Sequence, residues 1–172
     1  MIEDKSGIDI SGTKTLVCDI MDHYSSDVRL FDPIFHDFGG KTSFHGVVST
    51  ITCFEDNSKV FEAVGEQGDN RILVIDGQGS LRYSLFGGNL AQKAYENGWA
   101  GVIVNGGIRD VAEQREILLG VKALGVCPRR TIKRNEGERD VAVTIAGQTI
   151  LPHQYIYADE DGIIISDIKL HN

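Results

Sequence analysis

Residues 87–113 read GGNLAQKAYENGWAGVIVNGGIRDVAE, and the order of patterns inside this stretch decides the fold. A glycine pair, Gly87-Gly88, leads into a segment where Leu90, Ala91, Ala94 and Tyr95 repeat at helical spacing and make one apolar stripe. Asn89 is placed to cap the start of that helix, and Gly98 stops it as a glycine just past a helix C-terminus does. The run Ala100 to Val104 then crosses as a strand, and Arg109, Asp110 and Glu113 follow Gly106-Gly107. A helix followed by a strand of this size is a unit of an α/β sheet, whose ligands gather on the edge where strands end and helices begin. That edge would bring Gly87, Gly88, Asn89 and Leu90 close to Arg109 and Asp110.

The chemistry available on such an edge is specific in kind. Unpaired N–H groups at a helix start attract a carboxylate or phosphate, and an adjacent guanidinium grips the same anion as a fork. Asp110 adds a hard oxygen ligand. An ion such as Mg²⁺ is held by one or two carboxylates with water and substrate oxygens, so Asp110 and Glu113, one turn apart, could bind it directly or through water. The same residues, Asp110-Val-Ala-Glu113, also match a capping box before a helix over Val111 to Leu124, with Ile117, Val121 and Leu124 as its apolar face. Spacing alone favours the cap, and Arg109 taken alone reads as a solvated or structural arginine.

Outward from this stretch, SGTKTLVCDIMDHY reads as a helix capped by Ser11 or Thr13, with Asp19 and Asp22 facing outward. Pro33 and Gly39-Gly40 mark a loop before a β-rich run from Thr42 to Phe54, where His36 and His45 lack metal-ligand spacing. A short helix near Ser58 to Val64 precedes the strand Ile72 to Ile75. The following Asp76-Gly77-Gln78-Gly79 imitates a dinucleotide fingerprint, but Arg82 occupies the third-glycine position, and Asp76 reads as a turn former. Beyond Pro128-Arg129-Arg130, the mixed-sign run KRNEGERD reads as a solvated surface loop. The tail turns to strands at Val141 to Ile145, Tyr155 to Tyr157 and Ile163 to Ile165, the last two joined by a turn at Asp159 to Gly162. The order gives an α/β domain with mixed β structure.

The 172 residues make a single domain the expectation, and 41% apolar content suffices for a core without staples. A formal charge of -8 argues against direct nucleic-acid binding and leaves a basic protein segment as a possible partner. Cys18, Cys53 and Cys127 lie far apart with no C-x-x-C, which points to reduced, buried thiols. No apolar run approaches the roughly 20 residues of a membrane span, and the polar start MIEDKSG is unlike a signal peptide, so a cytoplasmic location is expected.

The run ILVIDGQGSLRYSLFGGNLAQKAYENGWAGVIVNGGIRD, followed by GVKALGVCPRR, GERDV and YADEDGIIIS, resembles the RraA-like family. That family contains 4-hydroxy-4-methyl-2-oxoglutarate aldolases and the regulators of ribonuclease activity A. The similarity extends from DIMDHY to GIIIS. The enzyme branch carries a glycine, then after twenty residues an arginine and an aspartate, then after two more an acid; here these fall on Gly88, Arg109, Asp110 and Glu113. Some relatives have Asp at the place of Gly88, and that extra carboxylate is missing here.

The resemblance implies a swivelling β/β/α fold assembled as a homotrimeric ring with pockets between subunits. It implies that the backbone of Gly87, Gly88, Asn89 and Leu90 holds a pyruvyl carboxylate, that Arg109 binds the 2-oxo acid, and that Asp110 carries a divalent metal, Mg²⁺ first, with Mn²⁺ or Co²⁺ as alternatives. The expected activity is metal-dependent cleavage of 4-hydroxy-4-methyl-2-oxoglutarate to pyruvate, with oxaloacetate decarboxylation beside it and a metal-polarised water as candidate base. The rival expectation is a non-enzymatic regulator that binds and inhibits an RNA-degrading endoribonuclease through the acidic surface.

Overall fold

The computed structural model describes residues 7–172, with four helices and twelve strands among them. In chain order these are α1 (Leu16–Tyr24), β1 (Val28–Leu30), β2 (His36–Asp37), β3 (Phe44–Thr52), α2 (Ser58–Val64), β4 (Ile72–Asp76), β5 (Ser84–Phe86) and α3 (Gly88–Glu96). There follow β6 (Gly101–Ile108), α4 (Val111–Glu116), β7 (Gly120–Val126), β8 (Glu138–Arg139), β9 (Val143–Ile145), β10 (Gln148–Ile150), β11 (Tyr155–Asp159) and β12 (Gly162–Ser166).

The main sheet runs β1-β12-β11-β3-β4-β6-β7-β2, with β5 against β6 and β8 against β3; β9 and β10 form a separate hairpin. Its centre is parallel: β3, β4, β6 and β7 pair in one direction. The flanks β1-β12-β11 and β2 are antiparallel. This is the mixed α/β architecture expected, with a parallel β/α half and a β half that share β3. The central strands are near-continuous apolar runs, ILVI in β4 and GVIV in β6, because both of their faces are buried. One face carries Ile51, Leu73, Val102 and Val121 against α2 and α3, and the other carries Val48, Ile72, Val74 and Ile103 against the β9–β10 hairpin.

Gly101 and Gly120 face each other across β6 and β7, and the buried ring of Phe44 lies over both. A Cβ at Gly101 would fall 2.4 Å from this ring, and one at Gly120 would fall 2.2 Å from it. These two strands therefore start with glycine because an aromatic side chain fills the space.

The helix over Ser58 to Val64, the turn at Asp76, and the β11–β12 hairpin stand as expected. Four local readings are corrected. Asn89 is not the cap of α3: Gly87 takes that place in extended conformation, and the helix begins one residue earlier than Asn89. Ser11 and Thr13 do not cap α1 either. Thr15 occupies the N-cap without a side-chain bond to the helix amides, and the amide of Val17 donates instead to Asp159 Oδ2 at 2.9 Å. The helix expected to reach Leu124 ends at Glu116, because Leu119, Val121 and Ala123 also alternate and the open edge of β6 recruits the chain from Gly120 onward as β7. Of the three cysteines, Cys53 and Cys127 are buried and Cys18 is exposed. Among the described residues, no helix is long and apolar enough to cross a membrane.

Candidate active site

β5 and β6 are parallel neighbours with Phe86 opposite Ile108, so the residues that follow each strand emerge side by side. After Phe86 come Gly87 and Gly88, which open α3; after Ile108 come Arg109 and Asp110, which precede α4. The amide of Arg109 donates to Phe86 O at 3.1 Å and closes the join. Sequence reasoning places these groups on one edge; the register brings them into contact.

Asp110 sits at the N-cap of α4 with φ 59° and ψ 43°, a left-handed conformation that aspartate tolerates better than most residues. Its side chain makes no bond to the amides of α4, so the capping-box reading fails. Asp110 Oδ2 instead accepts the N–H of Gly88 at 2.9 Å, in the first turn of α3, and lies 3.8 Å from Arg109 Nε. A Cβ on Gly87 would stand 2.8 Å from Asp110 Oδ2 and 3.3 Å from Arg109 Nε. A Cβ on Gly88 would stand 2.2 Å from Glu113 Oε2. The glycine pair is the floor on which Arg109, Asp110 and Glu113 converge, and no side chain fits there without moving them.

Gly87, Asn89, Leu90, Arg109 and Asp110 line one wall of a recess of about 210 Å³. Gly88 is buried beside that wall, and Glu113 reaches Gly88 from the exposed side of α4. The rest of the lining was not anticipated: Asn57 before α2 and Phe61 within it, with Ser84, Arg130, Thr131 and Lys133. The run KRNEGERD is largely exposed, as expected, yet its first lysine belongs to the recess. The available signal was the density of charge in RRTIKR, four cations in six residues. His36 is exposed on β2, and His45 stacks on Tyr155 and Tyr157 far along the sheet; neither lines the recess. A larger hollow of about 630 Å³, beside Lys41, His45 and His171, holds none of the motif residues.

Among the described residues, no three His, Cys, Asp or Glu side chains gather closely enough to hold a metal ion. Asp110 and Glu113 alone supply two carboxylates, a donor set suited to a hard ion that keeps several waters and takes substrate oxygens. In chemical type the pair fits Mg²⁺ or Mn²⁺ rather than a closed structural zinc.

A family model for RraA-like proteins, described as Aldolase/RraA, matches residues 15–165. The chain belongs to the RraA-like family. It is 52% identical over 148 residues to a protein of Alkalilimnicola ehrlichii named "Putative 4-hydroxy-4-methyl-2-oxoglutarate aldolase", covering 86% of this chain and 92% of that one. A protein of the same name from Xanthomonas campestris is 45% identical, over 88% and 91% of the two chains. Among solved structures, the RNA-processing inhibitor RraA from Thermus superposes with a TM-score of 0.84 at 41% identity, over 87% of this chain and 91% of that one. A Geobacillus kaustophilus structure described as an S-adenosylmethionine:2-dimethylmenaquinone methyltransferase gives 0.88 at 40% identity, over 90% and 96%. The names of these relatives diverge: aldolase, RNA-processing inhibitor and methyltransferase.

Proposed function

We propose that this RraA-like protein is a divalent-metal-dependent aldolase that cleaves 4-hydroxy-4-methyl-2-oxoglutarate to pyruvate, with decarboxylation of oxaloacetate as a side activity. The observation that carries the reading is the parallel join of β5 and β6, which sets Arg109 and Asp110 against the first turn of α3. The Gly88 amide is committed to Asp110, so the amides of Asn89 and Leu90 are the ones that take the carboxylate of the 2-oxo acid. Arg109, at the mouth of the same recess, forks onto the 2-oxo acid and offsets the negative charge that grows as the carbon–carbon bond breaks. Asp110 and Glu113 would hold a divalent cation, which would supply polarisation of the 2-oxo group. Both reactions leave pyruvate enolate, which is why one set of residues serves them.

The recess is open in the single chain, and a homotrimeric ring would close it with a neighbouring subunit. The test is pyruvate release from the hydroxy acid and from oxaloacetate, with added Mg²⁺ and with chelator. Metal-dependent release is expected from both; none from either would end the aldolase reading.

The likeness to the Thermus RNA-processing inhibitor supports a second reading, regulation of a ribonuclease by docking. An acidic chain of net charge -8 would bind a basic segment with an affinity that falls as salt rises. Retention of the ribonuclease at low salt, by a chain that releases no pyruvate, would favour it.

A further inference from the structure

Resting on the aldolase reading, we infer that Asp56 is a positioning residue: it latches residues 130–136 against the recess and thereby selects substrates with a second carboxylate. Asp56 is fully buried and spends both oxygens on this segment and on α2. Oδ1 accepts from the amide of Ser58 at 2.8 Å and from its hydroxyl at 2.5 Å. Oδ2 accepts from the amides of Arg134 at 2.7 Å and Glu136 at 3.2 Å. Ser58 Oγ in turn accepts the amide of Asn135 at 3.1 Å.

The neighbouring residue completes the latch. Asn57 Oδ1 accepts from Thr131 Oγ1 at 2.7 Å, while its Nδ2 donates to Leu85 O at 3.3 Å, two residues before Gly87. The segment is therefore pinned at Thr131, Arg134 and Glu136, and through Asn57 it is tied to the strand that carries the glycine floor. Arg130 and Lys133, beside and between these pins, are presented to the recess. Neither meets a carboxylate among the described residues.

Charge counting gives the selectivity. Arg109 and the α3 amides suffice for the carboxylate next to the 2-oxo group, which leaves Arg130 and Lys133 facing the far end of the substrate. Two cations without a carboxylate partner among the described residues, Lys133 lying 5.7 Å over the ring of Phe61 in the same lining, suit a second carboxylate there. Burial would raise the Asp56 carboxyl, but the Ser58 hydroxyl and the amides of Ser58, Arg134 and Glu136 outweigh it and hold the group down to about 2. The latch is thus ionised throughout the working range of an enzyme.

The test uses Asp56→Asn, which keeps the shape but replaces one acceptor oxygen by an NH2 donor and removes the charge, and Lys133→Met, which leaves the latch intact and removes one cation. Amide exchange at Arg134 and Glu136 should quicken at least about tenfold in Asp56→Asn and stay unchanged in Lys133→Met, as expected for losing a charge-assisted bond. In both variants KM for the hydroxy acid should rise on the order of tenfold, while inhibition by pyruvate, which lacks the second carboxylate, stays as in wild type. A merely structural Asp56 would lower the melting temperature and leave KM alone. An unchanged KM in both variants, or pyruvate binding that weakens in step with KM, overturns the inference. If Asp56→Asn does not fold, Thr131→Val removes a separate pin and is read the same way. Calorimetric binding of 2-oxoglutarate and pyruvate separates this inference from the aldolase reading. A wild type that prefers 2-oxoglutarate without turnover keeps the latch and loses the aldolase; one that turns over without that preference does the reverse.

Discussion

The amide of Gly88 donates to Asp110 Oδ2 across 2.9 Å, so the acid that local spacing assigns to the start of α4 is fastened to the start of α3. One carboxylate oxygen is thereby oriented by a backbone amide, and Oδ1 is left without a hydrogen-bond partner among the described residues. Such an arrangement holds the group's direction before any ligand arrives, which is the form electrostatic preorganisation takes.

Asp110→Asn tests that role. Asparagine tolerates the left-handed conformation and can still accept the Gly88 amide, so stability should change by less than about 1 kcal/mol. Aldol cleavage should fall on the order of 10²-fold or more, because the anionic ligand is lost while the shape stays. Melting and steady-state assays at saturating Mg²⁺ read the two effects; near-normal turnover would return Asp110 to a structural role.

Arg109→Lys keeps the charge and loses the planar fork. The expected result is a fall in kcat/KM on the order of tenfold to a hundredfold with an unchanged melting curve. Kinetics like those of the wild type would show that Arg109 does not hold the substrate.

Gly88→Val acts by crowding. Gly88 is not one of the glycines with left-handed φ, so no backbone strain is involved. A Cβ there would stand 2.2 Å from Glu113 Oε2 and 3.3 Å from Asp110 Cβ, and both acids must move. Turnover should drop and KM rise while the protein stays folded; an unaltered pair of constants would remove Gly88 from the site.

Phe44→Ala empties the space over Gly101 and Gly120 in the middle of the sheet. Neither glycine has a side chain with which to fill it, so a loss of about 3–5 kcal/mol is expected. Urea unfolding measures it, and a loss under about 1 kcal/mol would mean that the strands close over the gap.

Acid should loosen the chain around His171. Burial lowers this imidazole to about 4, with the charges of His45 and Lys169 acting in the same direction. His45 is lowered too, by burial and by Lys41 and Lys169. Tyr157 Oη accepts the Leu170 amide at 2.7 Å and shares a hydrogen bond of 2.8 Å with His171 Nδ1, which ties the ring into this buried cluster. Both histidines bind protons more weakly folded than unfolded, so stability is full above the ordinary histidine value of about 6.5 and declines as pH falls towards 4. Melting temperature against pH should show that slope, and His171→Phe should flatten it.

Much of the fold was legible because it rests on local pattern. The stripe through Leu90, Ala91, Ala94 and Tyr95 made α3, Gly98 ended it with φ +78°, and the run ILVI made β4. Ile117 to Leu124 was misread because its apolar residues satisfy both helical and strand spacing, and the choice belongs to a partner strand that the segment itself does not contain.

By itself the sequence determined the mixed α/β class, the family, and the motif from Gly88 through Arg109 and Asp110 to Glu113, because periodicity, turn chemistry and spacing are properties of neighbouring residues. Only the tertiary structure decided that Asp110 bonds the amide of Gly88, 22 positions away, and that Asp56 gathers the amide of Arg134, 78 positions away. Those contacts depend on strand register and on where a buried carboxylate finds its donors. Both are set when the sheet closes, at distances along the chain that no local pattern spans.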